Sequence, residues 1–294
     1  MAAGYRIFDV TLKRRIQVTP SLLRCVFSGE DVADMKLEAP DQRIKLLFPN
    51  EEGERVTMPV SDSWYQDYLA LPKAQRPVMR TYTLRALRRE EKEMDVEFVL
   101  HGETGPASRW AMHAAPGAKM QVVAPNGAAS EESGGYEWIW HDGIQQALLI
   151  ADETAVPAAV GILEQLATLA TPPPVQAFFE VPLQADAQQA NFPFAEVHWL
   201  SREDHAAHGE RLLAALREHL SVPAFACVTE QSLEEKSLIE DGIWERAEGK
   251  HPFSAWVAAE SGLVKKLRRC LLDDYHLDRE GVNFMAYWTQ GRGR

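Results

Sequence analysis

The residue types best suited to chemistry gather in Arg80-Thr81-Tyr82-Thr83-Leu84-Arg85, which sets two cations, a phenol and two hydroxyls within six residues. Thr and Tyr favour a pleated, half-buried surface, so the stretch reads as a strand. Alternation places Arg80 and Tyr82 on one side and Thr81 and Thr83 on the other. That face suits a large planar ligand carrying phosphates, although an ordinary strand with surface charges has the same pattern. A second group follows in His101-Gly102-Glu103-Thr104-Gly105-Pro106-Ala107-Ser108-Arg109-Trp110. Glycines and small residues entering a helix expose backbone N–H groups to a phosphate; a plain N-cap accounts for Gly-x-x-Ser equally well. Together, the strand and the helix start can hold the isoalloxazine and pyrophosphate of a flavin.

Two further groups lie later. Asp152-Glu153-Thr154 forms a turn before a helix, with its acids placed favourably for the helix dipole; capping competes there with a cofactor role. Lys265, Lys266, Arg268 and Arg269 share a helix whose apolar face is Leu263, Val264, Leu267 and Leu271. Helical spacing sets Lys265 beside Arg268 and Arg269, and the alternative is a solvated face. The cluster stands out because 31 basic and 43 acidic residues give the chain a net charge of −12. Such a surface repels nucleic acid and anionic lipid headgroups except where basic residues cluster locally. Cys25, Cys227 and Cys270 are far apart and form no Cys-x-x-Cys, which argues against a cysteine-held metal and fits a reducing compartment. No protein-bound metal is expected. There is no apolar run of membrane-spanning length and no apolar signal-peptide core at the N-terminus, so a cytoplasmic protein is expected.

These residues need a scaffold. Residues 1 to about 125 alternate as strands at 5–10, 14–19, 22–28, 43–49, 79–86, 94–100 and 120–124, and 50–78 read as a long connection. One short helix opens at Ala107-Ser108, with Ser as its cap, and stops at Ala115-Pro116-Gly117. This predicts a small antiparallel β-barrel. Beyond 140–145 the rhythm changes. Apolar strands at 146–151, 175–181, 196–200, 255–259 and 282–288 alternate with helices at 156–170, 209–220 and from Ser261 or Gly262 to about Tyr275. That alternation predicts an α/β domain with a parallel sheet, whose ligands lie outside the carboxyl ends of the strands, in the loops after Ala151 and Ala259. The expected domains are 1–142 and 143–294.

Five motifs occur in order: Arg-x-Tyr-Thr at 80–83, Gly-Pro-Ala-Ser-Arg-Trp-Ala at 105–111, Ala-Asp-Glu-Thr-Ala-Val-Pro-Ala at 151–158, Trp-Val-Ala-x-Glu at 256–260 and Tyr-Trp-x-x-Gly-Arg at 287–292. From about Phe27 to Arg292 the chain resembles the siderophore-interacting proteins, ferric-siderophore reductases of the ferredoxin-reductase-like flavoprotein superfamily. The resemblance implies a flavin-binding barrel followed by a nicotinamide-binding α/β domain, with FAD as cofactor. It puts Arg80 at the flavin phosphates, Tyr82 beside the isoalloxazine or ribityl chain and Thr83 near N5. Thr81 belongs to the same cofactor-binding stretch, and Arg85 supports the phosphate side. His101 lies on the next flavin-contacting strand, and Gly105, Ala107 and Ser108 meet the pyrophosphate. Asp152, Thr154 and Ala155 face the nicotinamide, where related reductases often have Gly-Thr-Gly; no Gly-x-Gly-x-x-Gly is present.

By the same resemblance, electrons pass from NADPH or NADH to the flavin and singly to Fe(III), and no side chain serves as acid or nucleophile. Family analogy favours NADPH. Arg202 either meets a 2′-phosphate or is a surface arginine. Lys45, Lys265 and Arg268 attract an anionic ferric siderophore, and the chain acts as a monomer. The competing readings are a flavin reductase delivering electrons to ferredoxin or quinones, and a siderophore-binding protein without turnover. Residues 229–251 form an insertion with no assigned part.

Overall fold

The computed structural model describes residues 4–61, 63–203, 206–235, 238–239 and 242–292. Its contacts divide the chain between Tyr136 and Glu137 into two units.

The first unit contains β1 (Tyr5–Thr19), β2 (Leu22–Ser28), β3 (Arg43–Phe48), α1 (Trp64–Ala70), β4 (Val78–Thr83), β5 (Ala86–Arg88), β6 (Glu93–Val99), α2 (Pro106–His113) and β7 (Lys119–Pro125). The strands form one sheet in the order β4-β3-β7-β1-β2-β6-β5, and every pairing is antiparallel. Only Leu84 and Arg85 separate the edge strands β4 and β5 in the chain, and the Arg85 N–H donates to Asp95 O at 2.9 Å. The sheet therefore curls on itself around Phe8, Leu12, Phe27, Leu46, Phe48, Val96 and Phe98. The period of two is clearest on β6: Met94, Val96 and Phe98 enter the core, while Glu93, Asp95 and Glu97 face outward beneath basic side chains. The two strands expected over 5–19 are one strand, with a register shift between Leu12 and Arg14. The expected connection 50–78 contains α1, which buries no residue. Trp64 and Tyr68, one turn apart, pack partly buried against Ile7, Leu47, Met58 and Val123, a stripe too short to announce a helix in the sequence.

The second unit contains β8 (Gln146–Ala151), α3 (Val156–Ala167), β9 (Val175–Val181), β10 (Ala195–Ser201), α4 (Glu210–His219), β11 (Leu238–Ile239), β12 (Gly242–Glu245), β13 (Phe253–Glu260), α5 (Ser261–Arg269) and β14 (Val282–Trp288). The sheet order is β10-β9-β8-β13-β14-β12-β11. The first five strands are parallel. β12 and β11 add an antiparallel edge that the expected parallel sheet did not include. Both lie within the 229–251 insertion, of which residues 236–237 and 240–241 fall outside the described residues. Helix α3 covers one face through Ile162, Leu163 and Leu166. On the other, α4 and α5 pack Leu212, Leu216, Leu263, Val264 and Leu267. The chain winds outward from β8 to β10, then returns beside β8 as β13. The carboxyl ends of β8 and β13 thus flank the switch point, where open α/β sheets bind ligands. No described helix is long and apolar enough to cross a membrane.

Candidate functional site

In the first unit an aromatic cluster brings β4 and α2 to the same place. The Phe98 ring packs on Tyr82 at 4.7 Å and on Trp110 of α2 at 6.0 Å. Phe48 touches the same two rings at 6.4 and 6.0 Å. Burial pushes the Tyr82 phenol above its usual range, so it stays protonated. Arg80 lies on the same side of β4 and is half-buried. It donates from Nη1 to Met79 O at 3.0 Å, while its Nε is buried with no hydrogen-bond partner. Burial lowers the guanidinium pKa from its ordinary value, and no carboxylate pairs with it among the described residues. A partly desolvated cation with an orphaned N–H fits an anionic ligand group.

The neighbouring residues divide. Thr81 is exposed, and its hydroxyl accepts from Lys45 Nζ at 2.5 Å, as their cross-strand pairing requires. Thr83 is buried. Arg85 differs from Arg80: its side chain is 7% exposed and donates from Nε to Glu97 at 2.9 Å. Glu97 also accepts from Arg24 at 3.2 Å, which commits the Arg85 charge to an ion-paired cluster on the barrel wall.

The second group is the loop and helix start that its glycines and small residues implied, and only His101 was expected on a strand. His101 lies beyond the end of β6 and is exposed. Its N–H donates to Ser108 Oγ at 3.2 Å, and that hydroxyl donates to Gly102 O at 2.6 Å. Gly102 takes a φ of 83°, which a side chain would resist. Ser108 was expected to cap α2, but it sits inside the helix and its hydroxyl ties the loop. Gly105 is the N-cap and carries no side-chain cap, and Pro106 opens the helix, a position suited to its missing N–H. The first-turn amides of Ala107 and Ser108 therefore meet no capping side chain, an arrangement that fits a phosphate.

In the second unit the switch point is bridged by one carboxylate. Asp152, 1% exposed, accepts at Oδ1 from Thr154 N at 3.0 Å and Thr154 Oγ1 at 2.5 Å. Its Oδ2 accepts from Glu260 N at 2.8 Å and Trp288 Nε1 at 2.7 Å. It thereby joins the ends of β8, β13 and β14 and starts α3, whose N-cap is the fully buried Ala155. Burial, then the charge of Glu153, pushes Asp152 up to about 7, against the pull of its donors.

Glu153 does something else. It holds Arg202 through two contacts, at 2.9 and 2.5 Å, and Arg202 also donates to Glu180 at 2.7 Å. Glu180 accepts the Gly209 N–H at 2.8 Å. Arg202 is thus neither a surface arginine nor a free one: its side chain is 12% exposed. Sequence reasoning missed Glu180 as a member of this group, and missed that Trp288 bonds to Asp152. The signal for Glu180 was present, as the one acid in the apolar strand Val175–Val181.

The three basic candidates do not share one setting. Lys45 is half-buried on β3 in the first unit. On α5, Lys265 is exposed but Arg268 points inward. Arg268 donates to Glu245 at 3.1 Å and to the carbonyls of Leu233 and Glu234 at 3.0 and 3.2 Å. Arg279 donates to the same Glu245 at 3.3 Å and to Glu234 O at 2.8 Å. Arg268 thus anchors the insertion to α5. Its position one helical turn beyond Val264 puts it on the buried stripe, where Glu245 meets it.

Comparison with known proteins places this geometry. Residues 11–129 match the siderophore-interacting FAD-binding domain, and residues 144–291 match the siderophore-interacting protein family. The chain belongs to the siderophore-interacting protein family. It is 28% identical over 290 residues to the ferric vibriobactin reductase ViuB of Vibrio cholerae, covering 98% of this chain and 90% of ViuB. It is 27% identical over 286 residues to the NADPH-dependent ferric-chelate reductase of Escherichia coli, covering 96% and 93% of the two chains. A siderophore utilization protein from T. fusca has a crystal structure that superposes with a TM-score of 0.73 at 26% identity, covering 100% of this chain and 96% of that one. The fold is ferredoxin-reductase-like, with an antiparallel FAD-binding unit followed by a mostly parallel one.

Proposed function

We propose that this chain reduces the Fe(III) of ferric siderophores and so releases Fe(II) in the cytoplasm, with FAD as its cofactor and a reduced nicotinamide nucleotide as donor. The first unit would hold FAD and the second the nucleotide. When bound, FAD supplies the redox chemistry that couples a two-electron donor to a one-electron acceptor. The observation that carries the reading is Arg80, whose buried Nε has no partner and whose charge has no carboxylate among the described residues, on the strand that presents Tyr82. Arg80 and the α2 amides of Ala107 and Ser108 would hold the phosphates. Tyr82 and Thr83 would orient the ring system, and His101 and Gly105 would shape the loop that borders it. Arg85, paired with Glu97, would stiffen the strand from behind.

In the second unit Asp152, Thr154 and Ala155 would fix the loop against which the nicotinamide docks. Lys45 and Lys265 would raise the encounter rate with an anionic ferric chelate by electrostatic steering. Iron leaves after reduction because hard oxygen ligands hold Fe(II) more weakly. Both named reductases among the relatives support the substrate class, and three free cysteines support a reducing compartment.

The test is spectroscopic. Purified protein should be yellow with oxidised-flavin absorbance, bleach anaerobically on adding NADPH or NADH, and recover on adding ferric chelate while a ferrous-specific dye reports Fe(II). A colourless protein that cannot be reconstituted with FAD would overturn the reading.

A further inference from the structure

The cluster Glu153–Arg202–Glu180 sits at the carboxyl ends of β8, β9 and β10, where an open α/β sheet meets its nucleotide. In such sheets a free arginine accommodates a 2′-phosphate, whereas an acidic side chain binds the ribose hydroxyls. Here both types are present and consume each other. Arg202 gives both terminal nitrogens to Glu153, at 2.9 and 2.5 Å, and Nη1 also to Glu180 at 2.7 Å. The Glu180 side chain is 0% exposed and Glu153 13% exposed, so this is a covered pair rather than a solvated one. Pairing with Glu153 and Glu180 outweighs the effect of burial and holds the guanidinium above its ordinary pKa. Two carboxylates share one guanidinium; burial raises the Glu180 carboxyl above its usual range, and His208 Nδ1 lies 4.0 Å from it. A 2′-phosphate reaching Arg202 meets a guanidinium whose charge and three of its five N–H donors are already committed to Glu153 and Glu180; a donor without that phosphate does not need them.

We propose that Glu153, by clamping Arg202, cancels discrimination at the 2′-position, so that NADH and NADPH both serve this chain as donors. Glu153 is then a positioning residue that sets nucleotide specificity through Arg202. The proposal rests on the nicotinamide-linked reductase reading and deepens it.

The experiment uses the FAD-loaded protein and its Glu153→Gln variant. Gln keeps the length of the side chain and one acceptor while removing the charge. Calorimetry compares 2′,5′-ADP with 5′-AMP, and stopped-flow flavin reduction compares NADPH with NADH. In the unmodified protein both ratios should lie within about tenfold of unity, ~1.4 kcal/mol. In Glu153→Gln both should move about tenfold toward the 2′-phosphate, because Arg202 regains a donor pair for a charge-assisted contact. A purely structural part for Glu153 would change both nucleotides alike and leave the ratios in place, which overturns the proposal. So does an unmodified protein that already prefers either nucleotide by more than about tenfold, a result that stands even if the variant fails to fold. If neither adenosine fragment binds and neither nucleotide bleaches the flavin, the donor reading falls along with the proposal. Binding without a shift in ratio removes the proposal alone.

Discussion

Replacing Arg80 by Gln should separate affinity for FAD from stability of the protein without it. Among the described residues Arg80 makes one hydrogen bond, to Met79 O at 3.0 Å, and leaves Nε buried without a partner. Its charge is desolvated but has no carboxylate among the described residues. Losing it therefore relieves a cost when FAD is absent and removes a charge-assisted contact when FAD is bound. A hydrogen bond to a charged group is worth ~1.5–3 kcal/mol, so FAD should bind about tenfold to 150-fold more weakly. Stability of the FAD-free protein should stay within about 0.5 kcal/mol or rise. Flavin fluorescence quenching gives the affinity, and urea denaturation with and without FAD gives the two stabilities. An unchanged FAD affinity would refute the reasoning. So would a loss of ~3 kcal/mol in the FAD-free protein, which is the mark of a broken buried ion pair.

Arg268→Met should cost ~3–5 kcal/mol in urea denaturation, because it leaves Glu245, 3.1 Å away, under-compensated and unties the carbonyls at 233 and 234. Lys265→Met should stay within about 0.5 kcal/mol yet slow reduction of an anionic ferric chelate at low salt, a difference that high salt should erase. Asp152 rises from 3.8 to about 7 on folding, so the stability it contributes is present below its unfolded value and lost as pH climbs through 7. Melting temperature should fall over that window, and Asp152→Asn should flatten the fall. Hydrogen bonds from Arg14 and Lys13 lower Glu93 from 4.5 to about 2, so its contribution is present above its unfolded value and lost as pH falls through 2. Acid titration followed by tryptophan fluorescence should show a shallower acid limb in Glu93→Gln.

Much of the scaffold is legible in the chain because its elements are local. The apolar run 146–151 and the segments 22–28, 175–181 and 282–288 are strands with those bounds, since burial on both faces or regular alternation leaves its mark within a few residues. Helix α1 escaped because its seven residues hold an apolar stripe of a single turn, Trp64 and Tyr68, and the antiparallel edge of β11 and β12 escaped because two-residue and four-residue strands carry no readable period. The residue types for phosphate and ring binding, Arg80, Tyr82 and the glycines before α2, stand in the sequence, and their order along the chain points to the family.

Which charges are free is another matter. Arg80, Arg85, Arg202 and Arg268 look alike in one dimension. Only folding leaves Arg80 without a carboxylate among the described residues, seats Arg85 on Glu97, gives Arg202 to Glu153 and Glu180, and turns Arg268 onto Glu245. The partners of the last three lie 12, 49, 22 and 23 residues away, on other strands or loops. An arginine's chemistry depends on whether a carboxylate has already taken its donors. Sequence determined which side chains could bind phosphate, and tertiary structure decided which of them still can.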